Sequence, residues 1–120
     1  MYDLNDSVKV VRNQEFISCM LDLYVKLDNI PDNEGVCMGI IGYICDSCDS
    51  GASLCCMEYL YDNTNGISKA LLPYAFKTVY KSASDKLIKS KCLKYVDDLC
   101  DSNIDCVQQE AKYYIKSMLE

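Results

Sequence analysis

The stretch Ser84–Cys100, SDKLIKSKCLKYVDDLC, decides the fold class, because its apolar residues return every three or four positions. This spacing puts them on one side of an α-helix and leaves most of the lysines and aspartates on the other. Ser84 precedes the periodic part and is a residue type that caps helix starts. We therefore predict a helix from Ser84 to about Cys100, with one buried stripe: Leu87, Ile88, Cys92, Tyr95, Val96 and Leu99.

The same helical period recurs on both sides of this stretch. It predicts further helices, separated by turns rich in Asn, Asp, Gly and Pro, over residues 11–27, 52–61, 73–81 and 104–118. No segment has the convincing alternation of a β-strand. The predicted fold is all-α, a compact bundle of five or six short helices with disulfide staples. It forms a single domain over residues 11–120, preceded by a polar arm over residues 1–10.

One uncharged run, residues 35–44, fits either a buried helix or a buried strand, and periodicity does not distinguish the two. We favour a helix because the neighbouring segments are helical and no partner strand is evident. Gly39 and Gly42 each disfavour a helix by about 1 kcal/mol relative to alanine. They also leave room for another helix to approach closely.

The composition excludes several classes of partner. The chain has 120 residues, a net charge of −6 and an isoelectric point of about 4.5. An acidic surface is repelled by nucleic-acid phosphates and by anionic lipid headgroups. No run approaches the roughly 20 apolar residues that a membrane-spanning helix needs. We expect neither nucleic-acid binding nor a membrane span.

Nine cysteines give a density close to that of disulfide scaffolds. Residues 37–47 and 92–102 share the pattern Cys-x7-Cys-Asp-Ser, which would allow two antiparallel helices to be bridged Cys37–Cys100 and Cys45–Cys92. Four bridges would leave one cysteine free or available to link two chains into a dimer. The disulfide candidates are Cys37, Cys45, Cys48, Cys55, Cys56, Cys92, Cys100 and Cys106.

Two other interpretations of the cysteines stay open. Cys45 and Cys48, followed by the adjacent pair Cys55 and Cys56, could supply half of a zinc site. A second Cys-x-x-Cys is missing and the chain has no histidine, so we predict no metal. Alternatively, the cysteines are buried free thiols that behave as small apolar side chains, as the position of Cys19 on the apolar face of the first helix suggests.

The cysteine content also bears on the compartment. The opening residues 1–4 are polar and acidic, without the basic and apolar regions of a signal peptide. The chain is then either a complete intracellular protein or a mature secreted domain without its leader. Structural disulfides are rare in reducing compartments. We therefore expect a secreted or extracellular protein, with a cytoplasmic one as the alternative.

The absence of histidine removes the commonest general base and the commonest metal ligand. No glycine-rich phosphate loop and no nucleophile elbow occurs either. Neighbouring carboxylates such as Asp97 and Asp98 point to different sides of a helix. We expect no enzyme activity, no catalytic residue and no cofactor.

Ten tyrosines against two phenylalanines are the remaining oddity. Tyrosine is amphipathic and enriched at protein interfaces, although it also serves at the boundary of a core. We assign a partner-binding face to the helices over residues 52–61 and 73–81, with Tyr59, Tyr61 and Tyr80 as its contact residues.

Three functions follow from these patterns. The leading hypothesis is a non-enzymatic, secreted or surface-exposed, disulfide-rich helical protein that binds a partner protein. The second is a carrier of a small apolar ligand in a cavity lined by Ile40, Ile41, Met57, Phe76 and Val79. The third is a cytosolic helical bundle with free thiols that modulates host signalling by binding through a groove.

Overall fold

Every element in the computed structural model, which describes the backbone of residues 4–120 and the side chains of residues 14–120, is helical. Six α-helices and one 3-10 helix over Ile67–Leu71 are present, and no strand occurs in the described residues. The all-α prediction is confirmed. The α-helices are α1 Leu4–Lys26, α2 Glu34–Ser47, α3 Ser50–Asn63, α4 Leu72–Ser82, α5 Lys86–Leu99 and α6 Asp105–Leu119.

Local side-chain chemistry explains several helix starts. The Asp49 carboxylate accepts a hydrogen bond from the backbone N–H of Ala52 (2.8 Å) and caps α3. The Asp85 carboxylate does the same for α5 through Leu87 (2.8 Å), so the cap lies one residue beyond Ser84, the position that the sequence suggests. Pro73 occupies the first turn of α4, where its missing N–H costs nothing.

Helix α1 starts earlier in the sequence than predicted. The helix begins at Leu4 rather than Val11, so residues 4–10 of the predicted polar arm have a helical backbone. Residues 1–3 lie outside the described residues. The division into an arm and a domain stays a prediction.

Helix α4 lies at the centre of the core and packs against α2, α3, α5 and α6. Its residues Phe76 and Val79 are buried, and the Phe76 ring stacks on Tyr95 with the ring centroids 4.7 Å apart. Helix α1 packs mainly on α2 and α3. Of its described residues only Tyr24 is fully buried, which makes α1 a peripheral helix.

Two loops that are distant in sequence are joined by the Asp28 carboxylate, and we call this group of hydrogen bonds the Asp28 clasp. The carboxylate accepts from the N–H groups of Asn65 (2.8 Å), Gly66 (3.0 Å) and Ser68 (3.3 Å), and from the Ser68 hydroxyl (2.5 Å). Tyr24 donates to the Ser68 carbonyl (2.6 Å). The clasp fixes the end of α1 to the 3-10 helix.

The structure does not support the predicted disulfides. All nine cysteines are free thiols, and none of the eight disulfide candidates has a partner at bonding distance: Cys37, Cys45, Cys48, Cys55, Cys56, Cys92, Cys100 and Cys106. Cys37 and Cys92 instead fill the core as small apolar side chains. Helices α2 and α5 both pack against α3 and α4 but make no extensive contact with each other, so the predicted pairing of their cysteines is not found. The predicted link between two chains through a ninth cysteine depended on four bridges within the chain, and the structure shows none of them.

Candidate functional site

An apolar groove runs along the surface between α1 and α3, and we call it the α1–α3 groove. Its volume is 410 Å³. Ile17 and Leu21 line it from α1, and Ala52, whose side chain is small, lines it from α3. The lining residues are Gln14, Ile17, Ser18, Leu21, Asp22, Cys48, Ala52, Cys55, Cys56 and Tyr59.

A hydrogen bond closes one end of this groove. The Tyr59 hydroxyl on α3 donates to the Asp22 carboxylate on α1 (3.2 Å). That hydrogen bond, with smaller contributions from burial and from the Asp22 charge, raises the pKa of Tyr59. The phenol therefore stays a neutral donor at neutral pH.

Three thiols line the groove, those of Cys48, Cys55 and Cys56, and the surroundings of Cys48 and Cys56 raise the pKa of these two. Burial raises the pKa of Cys56 to about 11, with further contributions from Cys48, Cys55 and Cys45. Burial and the neighbouring Asp49 raise the pKa of Cys48. Because the thiolate is the reactive form, Cys48 and Cys56 contribute apolar surface at neutral pH rather than a nucleophile.

The part of the chain that forms the groove is acidic, although Asp22 is the only charged residue in the groove lining. Residues 14–63, which include the described part of α1 together with α2 and α3, contain nine carboxylates and a single cation, Lys26. Residues 64–120 contain nine lysines and seven carboxylates. The net charges of these segments are −8 and +2. An apolar groove with the Asp22 carboxylate in its lining, on a segment of net charge −8, favours a ligand that combines apolar and basic groups.

The predicted binding tyrosines do not share one face. Tyr59 lies in the groove, whereas Tyr61, two residues on, points to the other side of α3 and packs edge-on against Phe76 and Tyr95. The Lys69 ammonium lies 4.3 Å from the centroid of the Tyr61 ring. Tyr80 also has a partner within the chain, since the Lys89 ammonium makes a cation–π contact 4.3 Å from its ring centroid. Their role in partner binding stays a prediction, and only Tyr59 is positioned at the groove.

The residues proposed to line a ligand cavity lie elsewhere too. Ile40, Ile41, Met57, Phe76 and Val79 belong to the packed core, with at most 5% of each exposed. The four principal pockets of residues 14–120 are lined by other side chains.

Sequence reasoning missed the α1 side of the groove. Ile17 and Leu21 are four residues apart, so they lie on one face of α1. The sequence does indicate a second apolar face, because apolar residues occupy more of the circumference of α1 than one buried face needs. Phe16 and Leu23 accordingly stay 52% and 43% exposed.

Neither a metal cluster nor a membrane-spanning helix is found in the described residues. Where side chains are described, no three His, Cys, Asp or Glu residues are grouped so as to hold a metal ion. Within residues 4–120, no helix combines the length and apolar character needed to cross a bilayer.

Comparison with protein-family models finds no matching family, and comparisons with curated proteins and with solved structures find no match either.

Proposed function

We propose that this chain is a non-enzymatic helical module that binds a partner protein through the α1–α3 groove. The proposed occupant is an amphipathic helix of the partner that carries lysines or arginines beside its apolar face. The observation that carries the proposal is the combination of an apolar groove with an acidic half-molecule, nine carboxylates against Lys26.

Helix-in-groove recognition uses apolar side chains at helical spacing as anchors. The groove offers Ile17, Leu21 and Cys56 as apolar contacts for such anchors. Basic groups on the rim of the occupant would gain attraction from Asp22 and from the net negative charge of residues 14–63. Because these charges are exposed, the attraction is screened by salt and acts mainly on the association rate.

Charge also argues against a second copy of this chain on the groove. A symmetric dimer through this face would bring two segments of net charge −8 together, and like charges across an interface cost affinity. A basic partner helix meets no such repulsion.

We further propose that the protein works with its thiols reduced, in a cytoplasmic or other reducing compartment. The free state of all nine cysteines supports this alternative over a secreted, disulfide-rich protein. The ligand-carrier alternative has less support, because the residues proposed for its cavity are packed against one another in the core.

Peptide binding tests the proposal. The probe is a fluorescent designed peptide of about four helical turns, with leucines at helical spacing and flanking lysines. Fluorescence anisotropy should give a dissociation constant on the order of 10 μM, and a matched peptide with glutamates for lysines should bind at least about tenfold more weakly.

The protein variant Ala52→Arg places a bulky cation in the groove and should weaken the lysine peptide about tenfold. Leu87→Arg is the control, since Leu87 is 64% exposed on α5 and does not line the groove. Circular dichroism verifies that both variants are folded. Equal binding of the two peptides, or equal loss in the two variants, contradicts the proposal.

A further inference from the structure

A second opening lies away from the groove, between α2, the 3-10 helix, α4 and α6. Its volume is 500 Å³, within the range of small-molecule sites. We call it the tyrosine pocket. Its lining residues are Glu34, Met38, Ile67, Ala70, Leu71, Tyr74, Cys106, Glu110 and Tyr114.

Two aromatic rings form one corner of the tyrosine pocket. The centroids of Tyr74 and Tyr114 are 5.8 Å apart and their planes meet at 65°. Tyr113 packs edge-on against Tyr114 with the centroids 4.9 Å apart and supports that ring from outside. Rings set at an angle present electron-rich faces that attract cations. The Met38 side chain adds an adaptable apolar surface beside them.

Two carboxylates complete the lining. Glu34 comes from the first turn of α2 and Glu110 from α6, and no lysine or arginine lines the pocket. The nearest lysine to the rings is Lys77, whose ammonium lies 5.8 Å and 5.9 Å from the centroids of Tyr74 and Tyr114. These distances are at the outer limit of a cation–π contact. The ring pair therefore already lies beside one weakly held cation.

This lining selects one ligand chemistry. An anion would be repelled by the two carboxylates, and a bare metal ion would find no group of three ligands there. An organic ammonium ion suits all the parts, because its charge meets the rings and the carboxylates while its alkyl groups contact the apolar wall. We propose that the tyrosine pocket is a binding site for an organic ammonium ion. Tyr74 and Tyr114 supply the cation–π contacts, and Glu34 and Glu110 supply the countercharge.

Comparing choline with its uncharged isostere 3,3-dimethylbutan-1-ol tests whether the pocket recognises the charge of the ligand, because the two molecules have the same shape. The probe signals are the Met38 methyl group and the Tyr74 and Tyr114 rings in NMR spectra of the full chain. Choline should shift them saturably with a dissociation constant on the order of 1 mM. The neutral isostere should bind about tenfold more weakly, because it lacks the charge that the rings and carboxylates recognise.

Three variants locate the site. Tyr114→Leu should weaken choline about tenfold and Glu110→Gln about threefold, whereas Lys77→Gln should strengthen it about twofold by removing a like charge. Glu120→Gln at the chain end is the control for Glu110→Gln, because both variants remove one exposed carboxylate. Since Glu110 is exposed, its variant keeps the test valid even if Tyr114→Leu does not fold.

Equal binding of choline and the isostere, or no saturable shift up to about 50 mM choline, overturns the proposal. So does an equal effect of Glu110→Gln and Glu120→Gln. The peptide measurements on the α1–α3 groove use other residues, so either proposal can fail without the other.

Discussion

Helix α4 packs against four other α-helices, whereas α1 rests mainly on two. Both carry apolar residues at helical spacing. In α4 these residues are enclosed, and the buried set is Leu72, Pro73, Ala75, Phe76 and Val79. Among the described side chains of α1 only Tyr24 is enclosed, while Ile17 and Leu21 line an open groove and Phe16 and Leu23 stay exposed.

The difference shows that an apolar helical face has two uses in this bundle. Burial of a face on all sides stabilises the fold at about 25 cal/mol per Å² of apolar surface removed from water. A face left open at the edge contributes less to folding and keeps that surface for a partner. The central α4 and the peripheral α1 should therefore respond differently to substitution.

Replacing a phenylalanine by alanine in α4 and in α1 should give the largest difference in the free energy of unfolding. Phe76→Ala removes a fully buried ring that stacks on Tyr95, and we expect a loss of about 3–5 kcal/mol in the free energy of unfolding. Phe16 is 52% exposed and packs edge-on against Tyr43, so Phe16→Ala should cost only about 1 kcal/mol. Urea unfolding followed by circular dichroism measures both. Similar losses would mean that α1 is as much a part of the core as α4.

Removing the charge of the Asp28 clasp should release α1 specifically. Asp28→Asn weakens four hydrogen bonds at the end of α1, and we expect a loss of about 2 kcal/mol at neutral pH. Hydrogen exchange should then accelerate in α1 and much less in α4, because none of the hydrogen bonds of the clasp involves α4. Uniform acceleration in both helices would contradict the peripheral position of α1.

The same clasp predicts a pH dependence. Burial raises the pKa of Asp28, but the hydrogen bonds from Ser68, Asn65 and Gly66 outweigh it, so the folded pKa lies below the ordinary value. The stabilisation is therefore complete above the unfolded pKa of about 3.9 and is lost as pH falls through the lower folded pKa. Urea unfolding at about pH 6 and about pH 3 should show the difference between the native chain and Asp28→Asn shrinking at the lower pH. A constant difference would exclude this carboxylate as the titrating group.

A pair of glycine substitutions should give smaller effects of opposite sign. A Cβ at Gly66 would collide with the Asn29 side chain, which accepts a hydrogen bond from the N–H of Ile67 (3.1 Å). Gly66→Ala should therefore cost about 1–2 kcal/mol. Gly39 faces open space inside α2, so Gly39→Ala should stabilise by about 0.5–1 kcal/mol through helix propensity. Thermal unfolding compares them, and destabilisation by Gly39→Ala would show that this face of α2 is covered.

Local periodicity was enough to predict the helices and part of the core. On α5 the predicted stripe includes Cys92, Val96 and Leu99, which are buried, but also Leu87, which is 64% exposed because it lies in the first turn of the helix. The uncharged run over residues 35–44 belongs to α2, as favoured.

Contacts between residues that are far apart in the sequence could not be predicted from it. Asp28 and Ser68 are 40 residues apart, and nothing in either turn predicts that they meet. Cysteine density likewise says nothing of which sulfurs come together. Tyr59 and Tyr61 share a segment but lie on opposite sides of α3, because two residues turn a helix by about 200°.

The native cysteines allow the most direct test of the groove. Cys55 and Cys106 are both exposed, but Cys55 lines the α1–α3 groove and Cys106 lies on α6. Alkylation with iodoacetamide, followed by mass spectrometry, compares their rates with and without the lysine-flanked peptide. We expect saturating peptide to slow modification of Cys55 about tenfold and to leave Cys106 unchanged. Protection of neither thiol, or equal protection of both, would contradict binding in the groove.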